Sequence, residues 1–429
     1  MSDPEHRLDV MFVSEQPLWP PDQGYRLRGY HMATGLADRG LRIAVASIVP
    51  GDRTSPQQLR SISVPWPSAA PSDVSRFKQA WSGMGGRLRQ RLARRQGLES
   101  TQLAGVLPLV ERYRPNAVIG MGLHSPLLLH VIRQCTAART IWYAADEPAA
   151  FQCSCMRYEP ISALPGRMAS AMLFVAMQRL FVRGLDGAVG VSDTESRRLS
   201  RIGAPRYTLT IPNGVDLDYF AAATEPPRPR SLVFWGRMDF EPNVDAVCWF
   251  ARHVWPRLVD SAPDARWQIV GMNPHARVNE LHRLEGVQVV GAVDDIRPIA
   301  RRAAAAILPM RVGGGIKNKL LEAAAMGVPI VATPRALGGL RFDPLSRPLL
   351  VCHDSEQWIS TILRLWADAA QRRHLAAQGR RWVQEHHTWP AAAHRMAAWI
   401  KSIPVPDHPP SMRSADAQTR GVQRPRKAA

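Results

Sequence analysis

At 429 residues the chain is too long for one ordinary hydrophobic core, which predicts two domains plus tails. A hydrophobic content of 45% with 21% charged residues is that of a soluble globular protein, and no window approaches the roughly 18 apolar residues of a membrane-spanning helix. Lys and Arg number 55 against 36 Asp and Glu, and the net charge of +19 favours anionic partners: nucleic acid, a lipid surface or phosphorylated substrates.

In chain order, the N-terminus "MSDPEHRLDVMFV" is charged and reaches only a short apolar strand, so no signal peptide is expected. "LDVMFVSE" reads as a buried strand, followed by a Pro- and Gly-rich turn and a helix, "YRLRGYHMATGLADRG". "LRIAVASIV" is the next strand. A Pro/Ser-rich connection then leads into "RLRQRLARR", whose five arginines from Arg87 to Arg95 make a basic helix face beside Leu88 and Leu92. "NAVIGMG", "TIWYAAD" and "GAVGVS" are short apolar runs bounded by turns, as in a parallel sheet covered on both faces. Between the last two, "MASAMLFVAMQRLFV" from Met168 reads as a buried core helix. A break at "AAATEPPRPR", residues 221–230, reads as a linker. Strands then resume with "SLVFWG", "RWQIVG", "VQVVG", "AAAILP" and "PIVATP", the first followed by the amphipathic helix "VDAVCWFARHVWPRLVD". A helical pattern near the end carries Pro390, where it should bend or break, and the tail from residue 403 lacks apolar periodicity. The expected organisation is a domain at 1–220, the linker, a second α/β domain at 231–402 and a disordered basic tail at 403–429.

No GxGxxG, GxxxxGK[ST], GxSxG, HExxH or CxxC motif is present, so the usual dinucleotide, P-loop, hydrolase and zinc chemistries are not supported. The five scattered cysteines fit a reducing compartment. What carries chemistry is "PMRVGGGIKNKLLEAAAMGVPIVATP", residues 309–334. The chain has only five lysines, and two of them, Lys317 and Lys319, follow the glycines Gly313, Gly314 and Gly315. A Gly-rich turn between a strand and a helix N-terminus is an anion site, because free N–H groups and the helix dipole favour negative charge. Cations in that first turn oppose the dipole unless a ligand phosphate compensates them, so a diphosphate is expected beside Lys317, Asn318 and Lys319. Glu322, one turn later, would hold a ribose or sugar hydroxyl.

These segments resemble family 4 retaining glycosyltransferases of the GT-B fold. "IPNGVDLDYF" from Ile211 is similar to a phrase near the domain junction of those enzymes. "LVFWGRMDFEPNVDAVCWFARHVWPRL" resembles the opening of their nucleotide-sugar domain, and "GGGIKNKLLEAAAMGVPIVATP" their donor-binding strand, turn and helix. "PLWPPDQGYRLRGYHMATGLADRG" adds a similar first loop and helix, and the branch tied to exopolysaccharide assembly looks nearest. The resemblance implies two Rossmann-like doubly wound domains facing across a cleft, with the C-terminal helix crossing back. Arg237 and Lys317 or Lys319 would neutralise the diphosphate, and Glu322 would match the second Glu of the E-x7-E pair. Gly314 stands where its first Glu would be, Asn243 near where a lysine often follows "GR", and Gly338 where a Glu is common.

By the same resemblance, the leaving nucleoside diphosphate would be stabilised by basic residues and a helix N-terminus, without a metal or cofactor. Asp22, Gly24, His124 and Asp146 sit at or just past strand ends, where doubly wound folds place ligands, and would serve the acceptor. His124 and Asp146 are the candidate catalytic groups on that side, with His124 orienting or deprotonating an acceptor hydroxyl. The expected partners are a nucleotide-sugar, a glycan or lipid-linked acceptor and an anionic membrane surface, but not nucleic acid. The protein would be cytoplasmic and peripheral on the inner face of the cytoplasmic membrane. A nucleotide-sugar 2-epimerase of GT-B fold and a non-catalytic basic binding protein are the rival readings.

Overall fold

The structure is a computed structural model and describes residues 7–21, 24–48, 60–63, 100–123, 125–144, 147–156, 161–222, 225–340, 342 and 347–406. It resolves into two compact units that are not contiguous in sequence. The first comprises Met1–Ala149, Ser170–Ile211 and Ala393–Ala429, and the second Ala150–Ala169 and Pro212–Ala392.

In the first unit, seven strands form one parallel sheet: β1 (Val10–Ser14), β2 (Ile43–Ser47), β3 (Arg60–Ser63), β4 (Ala117–Met121), β5 (Arg139–Tyr143), β6 (Gly187–Gly190) and β7 (Tyr207–Thr210). Their spatial order is β3-β2-β1-β4-β5-β6-β7. The order reverses direction between β1 and β4, the switch point at which doubly wound sheets take ligands. β1 and β4 are buried along their whole length, which is why both read as unbroken apolar runs. The last helix, Trp389–Ser402, enters this unit from Ala393 onward. It comes so close that a Cβ on Gly187 would lie 2.5 Å from Trp399, and Arg139 Nε donates to the Ile403 carbonyl at 2.7 Å.

The second unit holds a six-stranded parallel sheet: β8 (Arg228–Trp235), β9 (Arg266–Val270), β10 (Val287–Gly291), β11 (Ala303–Leu308), β12 (Ile330–Ala332) and β13 (Leu350–Val351), in the order β10-β9-β8-β11-β12-β13. β8 and β11 are the central pair, in register through Leu232 with Ala305 and Val233 with Ala306. One face packs an aromatic cluster in which Phe250 meets Trp267 at 4.9 Å and Trp358 at 5.5 Å, edge to face. Residues 150–169 join this unit through a stack of Phe151 on Phe240 and a 2.9 Å ion pair between Arg167 and Glu241.

Three expectations are revised. The stretch 221–230 is not linker throughout, because β8 begins at Arg228, whose amide donates to the Arg302 carbonyl at 2.8 Å. Pro229 is tolerated there because it lies at the strand's first turn of pairing, outside the central ladder. The first unit ends at Ile211 and lacks residues 150–169, which belong to the second, while the final helix returns to the first unit from Ala393 as the resemblance implied. The helix Leu164–Met177 is not a core helix: of its residues only Ala171 and Met177 are buried. Near Pro390, by contrast, the helices Ala369–His386 and Trp389–Ser402 are separate, as expected of a proline in the second helix's first turn. No helix among the described residues is long and apolar enough to cross a membrane.

Candidate functional site

β8 and β11 end side by side at the switch point of the second sheet. From β8 the chain turns through Gly236 and Arg237 into the helix Glu241–His253. From β11 it runs through Gly313, Gly314 and Gly315 into the helix Asn318–Ala325. Gly313 and Gly315 have φ of +103° and +65°, so the predicted Gly-rich turn is a turn that glycine permits. Lys317 is the residue before that helix, has extended backbone and makes no side-chain cap. The helix start therefore leaves its first amides to a ligand.

The two lysines have different surroundings. Lys317 Nζ folds back and donates to the Gly314 carbonyl. Lys319 turns inward: its ammonium donates to Asn243 Oδ1 at 2.8 Å and lies 4.0 Å from the centre of the Phe234 ring. Asn243 is held in turn by its Nδ2, which donates to the Arg237 carbonyl at 2.7 Å. Gly236, at φ +146°, is required here, since a Cβ would lie 2.9 Å from both Lys319 Nζ and Asn243 Nδ2. Burial, helped by the nearby charge of Lys317, depresses the Lys319 ammonium to a pKa of about 7, with Glu322 opposing the shift.

Glu322 sits one turn further and accepts a hydrogen bond from Trp235 Nε1 at 2.7 Å. Burial raises its pKa above the usual carboxylate range, while the Trp235 bond and Lys319 pull it back. Arg237 is near but turned outward, forming a fork with Asp239 at 3.0 and 2.9 Å with its side chain 46% exposed. Asn318 accepts from Asn213 Nδ2 at 2.7 Å. The Asn213 carbonyl accepts from His387 Nδ1–H at 3.0 Å, and burial lowers the His387 pKa to about 4, so that ring is neutral. The "PNGVD" phrase thereby ties the start of the site helix to the break at residues 387–388, where Val215 N also donates to the His387 carbonyl at 2.9 Å.

One departure from the resembled family has a local cause. Gly338 has φ +58°, and a Cβ there would fall 1.9 Å from the Gly315 carbonyl oxygen, so the Gly-rich loop occupies the space a larger residue would need. At Gly314, the carbonyl takes the Lys317 ammonium. Sequence reasoning missed Ser154, whose hydroxyl accepts from the Gly313 amide at 3.2 Å, and the fork between Arg311 and Asp245. It also passed over Phe234 and Trp235, whose apolar strand context hid their contacts with Lys319 and Glu322.

On the first sheet, Gly24 opens the helix Gly24–Ala37, while Asp22, His124 and Asp146 lie outside the described residues. The β1–β4 switch point is built around Tyr25. Its hydroxyl donates to the Met121 carbonyl at 3.0 Å, accepts from the Glu15 amide at 3.2 Å and lies 2.8 Å from Ser14 Oγ. Burial raises the Tyr25 pKa, so it stays a neutral donor. Glu15 packs against Gly122, where a Cβ would lie 2.2 Å from its carboxylate. Among the described residues no three His, Cys, Asp or Glu side chains group as metal ligands would.

With its two parallel sheets and flanking helices the protein has the α/β architecture of GT-B glycosyltransferases. Solved structures with that fold cover nearly all of it. A sucrose-phosphate synthase from Thermosynechococcus elongatus matches 92% of this chain and 98% of its own at a TM-score of 0.66 and 17% identity. WaaG, a glycosyltransferase involved in lipopolysaccharide biosynthesis, matches at 0.60 and 15%, covering 92% of this chain and all of its own. HepE from Anabaena in complex with UDP and glucose matches at 0.59 and 12%, over 92% of this chain and 100% of its own. Residues 229–368, which include the site residues from Phe234 to Glu322, match the family described as Glycosyl transferases group 1. A phosphatidyl-myo-inositol mannosyltransferase from Mycobacterium tuberculosis is 32% identical over 159 residues, a span of 34% of this chain and 40% of that protein.

Proposed function

We propose that this protein is a metal-independent, retaining glycosyltransferase of family 4 type. It moves a sugar from a nucleotide-sugar to a glycan, lipid-linked in the fullest form of the reading, in exopolysaccharide or cell-surface glycan synthesis. The observation that carries this is the convergence of a Gly-rich loop, an uncapped helix start and a half-buried lysine at the switch point of the second sheet. The group 1 match over 229–368 and the partial likeness to a mannosyltransferase support it.

The chemistry follows from the surroundings. A nucleoside diphosphate leaving group gains negative charge as the glycosidic bond breaks. Lys319 is partly deprotonated at neutral pH, so an arriving diphosphate draws a proton onto it and turns it into a cation at the place where charge develops. The amides of Gly315 to Lys319 add their dipoles, and Lys317 and Arg237 rearrange from Gly314 and Asp239 to reach the phosphates. Glu322, fixed by Trp235, holds a donor hydroxyl. Gly24 with Asp22, His124 and Asp146 serves the acceptor, His124 and Asp146 handling its proton. The protein works in the cytoplasm at the inner face of the membrane, where a lipid-linked acceptor is presented.

A panel of nucleotide-sugars tested for protection against thermal unfolding checks the donor site, since a ligand bound only by the folded state raises the midpoint. Protection by one nucleotide-sugar and its free diphosphate, with sugar transfer only when an acceptor is added, is the expected result. Conversion of the donor without acceptor would make the protein an epimerase instead, and no protection by any donor would end the reading.

A further inference from the structure

The three most exposed large hydrophobic side chains among the described residues are neighbours: Ile161 at 84%, Met172 at 70% and Met168 at 54%. They lie on the short 3-10 turn Ile161–Ala163 and the helix Leu164–Met177 that continues it. At 3.6 residues per turn Met168 and Met172 project about 40° apart, and Ile161 stands on the 3-10 turn that leads into the helix. Pro165 and Ala169, also exposed, fill the gaps along this edge. Met168 and Met172 belong to one continuous helix, so their spacing is set by the helix alone.

The charge on this stretch has one sign. From Ile161 to Leu185 the sequence has no Asp or Glu and three arginines. Arg167 is paired with Glu241 across the second unit, but Arg179 and Arg183 are exposed just beyond the helix, after the π turn Gln178–Val182. A helix of 14 residues is about 21 Å long, short of the roughly 30 Å needed to cross a bilayer. An apolar edge with basic residues at one end, too short to span, is the pattern of a helix that lies in a lipid interface. A second copy fits less well, because it would bring together two chains that each carry a net charge of +19. An anionic leaflet supplies the opposite charge.

We propose that Ile161, Met168 and Met172, with Arg179 and Arg183, form the surface by which this protein docks on an anionic lipid bilayer. The inference rests on the peripheral-membrane part of the function above, not on sugar transfer; the Arg87–Arg95 run lies outside the described residues. The methionines and Ile161 enter the headgroup boundary, and the arginines meet lipid phosphates. Docking is reversible and only partly weakened by salt, because the apolar share is not screened.

The test is co-sedimentation of the full chain with phosphatidylglycerol–phosphatidylcholine vesicles and with phosphatidylcholine vesicles. The wild type is expected to sediment with the anionic vesicles. The pair Ile161→Glu and Met172→Glu should lower partitioning about 100-fold, roughly tenfold for each side chain withdrawn from the interface. Arg179→Ser with Arg183→Ser should lower it about tenfold, and Met172→Leu should leave it unchanged. Thermal protection by nucleoside diphosphate, read on the same samples, should be the same in the Glu variant as in the wild type. A wild type that stays in solution at low salt overturns the proposal, as does a Glu variant that sediments normally. A wild-type oligomer that the Glu pair converts to monomer gives the surface to a second copy instead.

Discussion

At the ends of β1 and β4 the first unit places a neutral phenol, Tyr25, bonded to Met121, Glu15 and Ser14, with a carboxylate beside Gly122. At the ends of β8 and β11 the second unit places an ammonium, Lys319, bonded to Asn243 and lying against Phe234, with an open helix start beside it. The strand order around the two switch points is the same, 3-2-1-4 in each sheet. Topology thus makes a crevice in both units, and the side chains at the strand ends decide what each can hold. A crevice with a half-buried lysine beside an open helix start suits a diphosphate. One with a satisfied tyrosine and a carboxylate suits hydroxyl groups.

That contrast can be broken most directly at Lys319. Lys319→Met should weaken nucleoside diphosphate binding about 10- to 150-fold, the loss of one charge-assisted contact worth about 1.5–3 kcal/mol. Thermal stability should not fall, because the variant removes a charge whose burial is unfavourable. Calorimetric titration showing wild-type affinity would place the diphosphate elsewhere. Lys317→Ala should give a loss in the same direction and smaller, as that ammonium must first leave Gly314.

Tyr25→Phe should have the converse effect. It should cost about 1–3 kcal/mol of stability by leaving the Met121 carbonyl and Glu15 amide without their partner, and leave diphosphate affinity unchanged. Denaturant unfolding and the same titration read the two results, and a change in affinity would deny that the crevices act separately.

The dependence on pH sharpens the contrast further. The Lys319 pKa is about 7 in the folded protein, against an ordinary 10.5. Between these values the unfolded chain binds a proton that the folded chain has released, so this group's contribution to stability rises with pH across the window and is least below about 7. Diphosphate binding reverses the shift by drawing the proton back. Affinity should therefore decline about tenfold for each pH unit above 7, with proton uptake on binding, and Lys319→Met should abolish both. A flat profile in the wild type would mean that Lys319 remains charged throughout.

The smallest effects are expected at the edge of the site. Glu322→Ala should lower turnover more than donor affinity, and unchanged catalytic constants would make Glu322 a structural partner of Trp235 only. Arg237→Ala should cost under about 1 kcal/mol of binding, since its exposed guanidinium must leave Asp239 to act.

Much of this architecture was legible from apolar runs. The central strands β1, β4 and β11, and β8 from Ser231 onward, are buried and so read as continuous apolar runs. The edge strands β3, β7 and β13 went unseen, because pairing on one side leaves short sequences such as "RSIS" and "YTLT" with little apolar signal. The Gly-rich turn and the two lysines marked the site because rare residues stood at a helix start where their charge opposes the dipole.

The sequence by itself determined the alternation of strand and helix, the break at Pro390 and the Gly-rich turn into a helix after β11, since each follows from local propensity and spacing. Only the tertiary structure decided that Lys319 faces Asn243 and Phe234 while Lys317 folds onto Gly314, because that depends on β8 lying beside β11. It also decided that the apolar stretch from Met168 leaves Met168 and Met172 exposed and enters the core only in its later part, at Met177, Phe181 and Val182. Hydrophobicity states how strongly a segment seeks cover, and whether another segment provides that cover is settled by packing at long range.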